Sequence, residues 1–246
     1  MFNEISDGIS SHLKALSLIS KHRLWIYCLA PGIISLLLGV AIIGTAWNIS
    51  DNAADWLMAF YPYEWGRKVL DWIAQAFSGL LVLTLGFLLF RHIVMAISAP
   101  LMSFLSEKVE KILKGDGGAP PFSLPQILSD LVRGITISLR NIIRELFFTF
   151  LIFLLGVFIP FLAPIVPVLI FLVQAFYAGF GNMDFCLERH FRVRDSVRFV
   201  RRYKGLAIGN GTVFLLLLFT GIGFLVALPL GTVAATVESV KRVSSF

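Results

Sequence analysis

The residues of this chain best suited to chemistry are arginines that crowd into one short segment. A guanidinium group carries five N–H donors in a fixed fork and binds the oxygens of phosphate, sulfate or carboxylate groups. Such a cluster indicates one of two roles: attraction to anionic headgroups at a membrane surface, or direct contact with an anion that crosses the membrane. The cluster consists of Arg189, Arg192, Arg194, Arg198, Arg201 and Arg202.

Two further pairs of ionisable residues stand beside long apolar segments. Arg144 and Glu145 come just before one apolar run, and Arg91 and His92 lie near the end of another. An ionisable group at such a position pairs with another group or faces water. Arg144 and Glu145 are therefore either a structural pair or the mouth of a transport path. Arg91 either extends to the membrane surface or lines a water path.

Patterns of catalytic and cofactor-binding residues are missing from the sequence. Its four histidines are scattered, and neither His-Glu-x-x-His nor Gly-x4-Gly-Lys-Ser/Thr occurs. The two cysteines, Cys28 and Cys186, share no metal-ligand spacing. The sequence therefore predicts neither an enzyme nor an ATP-driven pump, and it predicts no cofactor and no metal.

The composition places these residues in a membrane protein. Of the 246 residues, 57% are hydrophobic and 15% are charged, and the mean hydropathy is +0.84. A soluble domain of this length could not bury so much apolar surface, which excludes a soluble enzyme and a disordered chain. The net charge of +6 is typical of the positive cytoplasmic side of a membrane protein and does not require nucleic acid as a partner.

Helices of two kinds must position the charged residues. Residues 25–47 and 73–99 are long apolar runs, and about 20 such residues cross a bilayer core, so both are predicted to span it. Within residues 1–24, apolar side chains recur at gaps of three and four, which predicts an amphipathic helix at the membrane surface.

Two later apolar segments are interrupted in the middle. Residues 146–183 contain Pro160, Pro164 and Pro167, and residues 206–237 contain Gly221 and Gly223. The arms on either side have about 15 residues, fewer than the roughly 20 that cross a bilayer. We therefore expect two re-entrant helical hairpins, and four short tilted spans are the alternative.

The distribution of positive charge predicts the orientation. Most of the 21 Lys and Arg residues lie in the two termini and in the connections 100–145 and 184–204. These segments share one side of the membrane if there are two true spans, and that side should be cytoplasmic. The expectation is a single multi-pass domain, residues 1–246, in the inner membrane with both termini in the cytoplasm.

Several short motifs, in this order, resemble the CysZ-type sulfate permeases over about residues 10–240. The motifs are Ile97-Ser98-Ala99-Pro100-Leu101, Arg144-Glu145-Leu146, Met183-Asp184-Phe185 and the basic helix that leads to Gly205. The resemblance implies nucleotide-independent uptake of sulfate for cysteine synthesis. It also implies two spanning helices with partly inserted hairpins, and assembly as a homo-oligomer.

This chain departs from the family pattern at one point. A Gly-x-Arg motif associated with sulfate binding precedes the family's first span, and its arginine positions hold Trp25 and Ile26 here. Arg23 is the nearest arginine and is the candidate that would replace them.

Together, the residues and the resemblance predict an all-α integral membrane protein that takes up sulfate or a similar oxyanion. The expected partners are the anion, membrane lipids and further copies of the chain. The alternative is a membrane scaffold, assembly factor or lipid-surface protein without transport activity. The candidate transport residues are Arg23, Arg91, Arg144 and Glu145.

Overall fold

The computed structural model describes residues 1–58, 90–116, 123–162, 164–220 and 223–246, and every regular element in these ranges is helical. The all-α prediction is therefore confirmed for this part of the chain. The helices are α1 (Phe2–Lys21), α2 (Ile26–Met58), α3 (Ala99–Leu113), α4 (Leu124–Phe158), α5 (Val166–Leu187), α6 (Val193–Arg202), α7 (Lys204–Phe219) and α8 (Phe224–Val243). The chain forms two compact units, one of residues 34–94 and one of residues 1–33 and 95–246.

Two of these helices are long and apolar enough to cross a membrane. The first, Ile26–Thr45, has a mean hydropathy of 2.4 and coincides with the predicted span 25–47. The second is Val166–Leu187, with a mean hydropathy of 1.5. It is the second arm of the first predicted hairpin, and its 22 residues exceed the expected arm length. The predicted span 73–99 lies outside the described residues up to position 89.

Proline explains both the turn of the first hairpin and the extra length of its second arm. Helix α4 ends at Phe158, two residues before Pro160, because a proline disfavours helical geometry in the residue that precedes it. Pro167, in contrast, lies in the first turn of α5, where its missing N–H costs nothing. Proline therefore starts the second arm instead of shortening it. How deeply either hairpin enters the membrane stays a prediction.

Small residues allow the helices of the larger unit to pack closely. A Cβ atom on Gly211 of α7 would overlap the carbonyl oxygen of Ala175 of α5, and one on Gly179 would overlap that of Ala207. Because apolar side chains gain little by leaving lipid for protein, close backbone contact of this kind drives helix association in membranes. Helices α5 and α7 accordingly form the most extensive helix pair among the described residues.

Helix α1 has the predicted amphipathic pattern but packs through its small and polar face. Gly8, Ser11, His12 and Ala15 are buried, and the helix rests on α7 and α8. Much of its apolar stripe is exposed, namely Phe2, Ile9, Leu13 and Leu16. Outward-facing apolar side chains of this kind suit a protein whose solvent is lipid.

Candidate functional site

A cavity of about 630 Å³ opens among four helices of the larger unit. Four basic side chains, Arg140, Arg144, Arg201 and Lys204, lie in its wall, and none of its lining residues within the described chain is acidic. The other lining residues are Phe148, Ile152, Leu169, Leu172, Val173, Phe176, Tyr177, Phe180, Val197 and Ile208. This combination of several cations without an acidic lining residue in the described chain is an environment suited to an anion.

Helical periodicity brings the basic residues to one end of this cavity. Arg140, Arg144, Phe148 and Ile152 follow one another at intervals of four on α4, so they share one face of that helix. Helix α5 returns antiparallel, and the ring of its Phe180 lies 5.2 Å from Cζ of Arg140. The cavity therefore has a basic end near Phe180 and an apolar end toward the chain turn after α4. We call the basic end, formed by Arg140, Arg144, Arg201 and Lys204, the basic mouth.

The charges of the basic mouth repel one another. Burial and the positive charges of Arg144 and Arg201 lower the pKa of Arg140. Arg140 donates a hydrogen bond of 3.0 Å to Oδ1 of Asn141, which is a neutral partner. Within the described residues, no carboxylate lies within ion-pair distance of Arg144, Arg201 or Lys204. A bound anion would relieve this repulsion, and an Arg fork would supply its hydrogen bonds.

The arginine cluster of the sequence is divided among several surroundings. Arg201 lines the cavity, but Arg189 is bound to Glu110 at 3.0 Å. Arg198 forms an exposed pair with Asp195. Arg192 and Arg194 are exposed, and Arg202 stacks on Tyr203 and Phe246, with its Cζ 5.9 and 5.8 Å from the two ring centroids. The cluster is therefore not one binding site.

Arg189 belongs to a closed polar network that holds α3 against the end of α5. Glu110 accepts hydrogen bonds from Arg189, His190 and Lys114, and these outweigh its burial and hold its pKa well below the usual range. The atoms of Glu110, Cys186 and His190 that could bind a metal lie within 4.8 Å of one another, a spacing that metal ligands can have. Since Glu110 is already bound by three protein donors, the network is satisfied as a clamp between helices and does not fit a metal site.

A second clamp fixes the helix that carries Arg140 and Arg144. Arg133 of α4 forms two hydrogen bonds with the carboxylate of Asp184, at 2.9 and 3.0 Å. It also donates to the carbonyl oxygen of Phe191 and to Oγ of Ser196, both at 2.8 Å. Burial alone would lower the pKa of Arg133, but the charge of Asp184 raises it. This bidentate pair sets the position of α4 relative to α5 and α6, and so the geometry of the basic mouth.

Glu188 lies beside this clamp, in buried surroundings that disfavour its charged form. Burial and the negative charge of Asp184 raise the pKa of Glu188 to about 8. Its carboxyl group accepts a hydrogen bond from Ser103 and lies 3.9 Å from Nε of Arg133. Asp184, at 2.9 Å, is the carboxylate that forms the close pair with Arg133.

The structure gathers only some of the candidates from the sequence. Arg144 lines the cavity, whereas Glu145 is fully buried and is not a lining residue. Arg23 is exposed in the turn between α1 and α2, with a left-handed φ of 54°, and does not line the cavity. Arg91 is buried in the smaller unit, with Nη2 3.3 Å from Nε2 of His92.

Arg140, Tyr177 and Lys204 are members of the cavity that the sequence candidates omit. The interval of four between Arg140 and Arg144 was the available signal for the first. Lys204 follows Arg201 by three residues across a helix boundary, and Tyr177 stands in an apolar helix. Nothing in the sequence connects these two to α4.

Comparison with known proteins gives the same family from a family profile and from individual relatives. The profile of the family described as sulfate transporter CysZ/etoposide-induced protein 2.4 matches residues 11–229. A protein of Pseudomonas aeruginosa named sulfate transporter CysZ is 28% identical over 230 residues, covering 93% of this chain and 92% of its own. Proteins of the same name are 28% identical over 230 residues in Pseudomonas paraeruginosa and 26% identical over 244 residues in Pseudomonas fluorescens. Both cover 93% of this chain, and 92% and 91% of their own lengths.

Proposed function

The chain belongs to the family of sulfate transporter CysZ and etoposide-induced protein 2.4, as its motifs predict, and from this premise we propose that it takes up sulfate, or a closely similar oxyanion, across the inner membrane. This family is one of transporters and not of enzymes, in agreement with the absence of a catalytic pattern. The lack of a nucleotide-binding motif supports transport without ATP hydrolysis by this chain.

The observation that carries the proposal is the basic mouth. Four cations face one cavity without an acidic lining residue in the described chain. Sulfate carries two negative charges on a tetrahedron of oxygens, so it can accept hydrogen bonds from several of these side chains at once. Arg144 and Arg140 would bind it from α4, while Arg201 and Lys204 would bind it from the opposite wall.

Two features of this mouth suit transport better than storage. Mutual repulsion raises the free energy of the empty mouth, which favours anion entry. Arg201 and Lys204 are exposed, so water has access to the anion and binding stays weak enough for release. In the orientation predicted from the positive charges, this mouth opens toward the cytoplasm with both termini on the same side, and the functional unit is a homo-oligomer.

The test is uptake of radiolabelled sulfate into liposomes that contain the purified protein. The double variant Arg140→Gln/Arg144→Gln removes two charges from the mouth. Each hydrogen bond to a charged group is worth about 1.5–3 kcal/mol, so uptake below saturation should fall by at least about a hundredfold. The matched control is Arg194→Gln/Arg198→Gln, which removes the same charge from exposed positions outside the cavity and should leave uptake within about twofold.

Three results would contradict the proposal. Equal losses in the two double variants would mean that net surface charge, and not the cavity, controls uptake. A loss of similar size in Arg23→Gln alone would move the binding site to the start of the first span. Uptake by wild type no greater than that of protein-free liposomes, from a monodisperse preparation, would favour the scaffold or lipid-surface alternative.

A further inference from the structure

The apolar end of the cavity is not explained by binding of an inorganic anion. Beyond the basic mouth and the hydroxyl group of Tyr177, the wall consists of apolar side chains, including Phe148, Ile152, Leu169, Leu172 and Val173. A small oxyanion finds no hydrogen-bond donor along this wall and would lose its hydration there at high cost. The apolar end is therefore shaped for a hydrocarbon ligand.

The dimensions and opening of this end fit an acyl chain. From Arg144 to Ile152, the face of α4 extends about 12 Å at 1.5 Å per residue. Phe148, Leu169 and Leu172 are 44%, 40% and 39% exposed, so the wall is open along its side. Because α5 is long and apolar enough to cross the membrane, the medium on that side is lipid. An acyl chain can thus enter from the bilayer without crossing water.

We propose that the cavity binds an anionic phospholipid, with its phosphate on the basic mouth and an acyl chain along the apolar end. The lipid competes with the oxyanion substrate for Arg140, Arg144, Arg201 and Lys204, an assignment that rests on the proposed function. Charge complementarity identifies the class of lipid. A phosphatidylglycerol carries a net negative charge, whereas the phosphate of a phosphatidylcholine is balanced by its own ammonium group.

The first test measures lipid retention and leaves all four basic residues in place. Val173→Trp fills the apolar end, and Val168→Trp is the matched control, since Val168 lies on the same helix, is 58% exposed and does not line the cavity. Native mass spectrometry follows phosphatidylglycerol and phosphatidylcholine on the purified protein. Wild type and Val168→Trp should retain at least tenfold more phosphatidylglycerol than Val173→Trp.

A second variant controls for the possibility that Val173→Trp loses lipid through a local packing defect. Leu169→Gln puts a polar group at the partly exposed apolar end, and it should also lower phosphatidylglycerol retention at least tenfold. Equal retention of phosphatidylglycerol by wild type, Val173→Trp and Leu169→Gln would overturn the proposal. Equal retention of the two lipids by wild type would overturn it as well.

The competition is tested by sulfate binding in nanodiscs of phosphatidylcholine, with and without phosphatidylglycerol. In wild type and Val168→Trp, phosphatidylglycerol should raise the apparent Kd for sulfate at least fivefold more than in Val173→Trp. The surface potential of the anionic disc acts on all three proteins alike, so the difference between them reports the cavity alone. An equal rise in all three would refute competition within the cavity.

A soluble phosphate compound distinguishes binding of the whole lipid from binding of its phosphate group alone. Glycerol phosphate has no acyl chain, so it should displace sulfate equally from wild type and Val173→Trp. Loss of glycerol phosphate binding in Val173→Trp alone would show that the substitution deforms the mouth, and Leu169→Gln then decides the question. Failure to bind sulfate in discs without phosphatidylglycerol would defeat the proposed function, whereas unchanged lipid retention in the variants would defeat only the present inference.

Discussion

Replacement of Arg133 by methionine should destabilise the protein more than any other single loss of charge on α4. Methionine keeps much of the side-chain volume but removes the guanidinium group that binds Asp184 at 2.9 and 3.0 Å. Two further acceptors, the carbonyl oxygen of Phe191 and Oγ of Ser196, lose the same donor. The side chains of Arg133 and Asp184 are 15% and 6% exposed, so water cannot fully replace the lost partner.

The expected cost follows from the charge that is left behind. Removal of one partner of a buried ion pair costs about 3–5 kcal/mol, because the other charge stays buried without compensation. At about 2–4 °C per kcal/mol for a chain of this size, Tm should fall by about 6–20 °C. The double variant Arg133→Met/Asp184→Asn removes both charges together and should recover at least half of that loss.

Thermal unfolding of the protein in detergent, followed by circular dichroism and by size-exclusion chromatography after heating, measures these differences. Arg194→Met is the matched control, because it makes the same change at an exposed position and should shift Tm by no more than about 2 °C. Equal Tm values for Arg133→Met and Arg194→Met would contradict a stabilising role for this ion pair, as would a further fall in Tm when Asp184→Asn is added.

Three further outcomes are expected from the same structure. Gly211→Val should prevent the close contact of α7 with α5, since its Cβ overlaps the carbonyl oxygen of Ala175. Size-exclusion chromatography of this variant should show aggregated protein. A monodisperse peak would contradict the packing described. Because the pKa of Glu188 is raised to about 8, its contribution to wild-type stability should fall as pH rises from about 4.5 through 8. The Tm of Glu188→Gln should vary less over that range, and an equal slope in both proteins would exclude Glu188 as the cause. Glu110→Gln removes the carboxylate that pairs with Arg189 at 3.0 Å. The free energy of unfolding should fall by about 3 kcal/mol above pH 5, measured by the same unfolding assay. An unchanged Tm would show that the network does not clamp these helices.

The sequence alone was sufficient for the class of the protein and, in the described part of the chain, for the end of α4 near Pro160. Composition requires a lipid solvent, and periods of three and four residues predict helices, because both are local properties of the chain. Helix α4 ends before Pro160, and the predicted first span 25–47 coincides with a helix that is long and apolar enough to cross a membrane. The second arm of the first hairpin is longer than expected, since Pro167 has opposite effects inside a helix and in its first turn.

The cavity depends on contacts between residues that are distant in the chain. Of the six clustered arginines, only Arg201 lines the cavity, because the cluster extends from the residues after α5 to the end of α6 and its side chains point in different directions. The cluster could not indicate that Arg189 would be bound by Glu110, which lies 79 residues earlier. Nor could it indicate that Arg144, from a different helix, would face Arg201.

Helix α7 shows most clearly why the sequence could not predict these contacts. Its apolar residues are spread around its whole circumference, so its pattern gives no inward face. Gly209 lies against Ile5 of α1, and Gly211 lies against Ala175 of α5, because small residues on two sides allow two close neighbours. Local sequence determines that a helix forms, but the shapes of all its possible neighbours determine which face it buries. That choice, made only in the tertiary structure, brings Lys204 beside the arginines of α4.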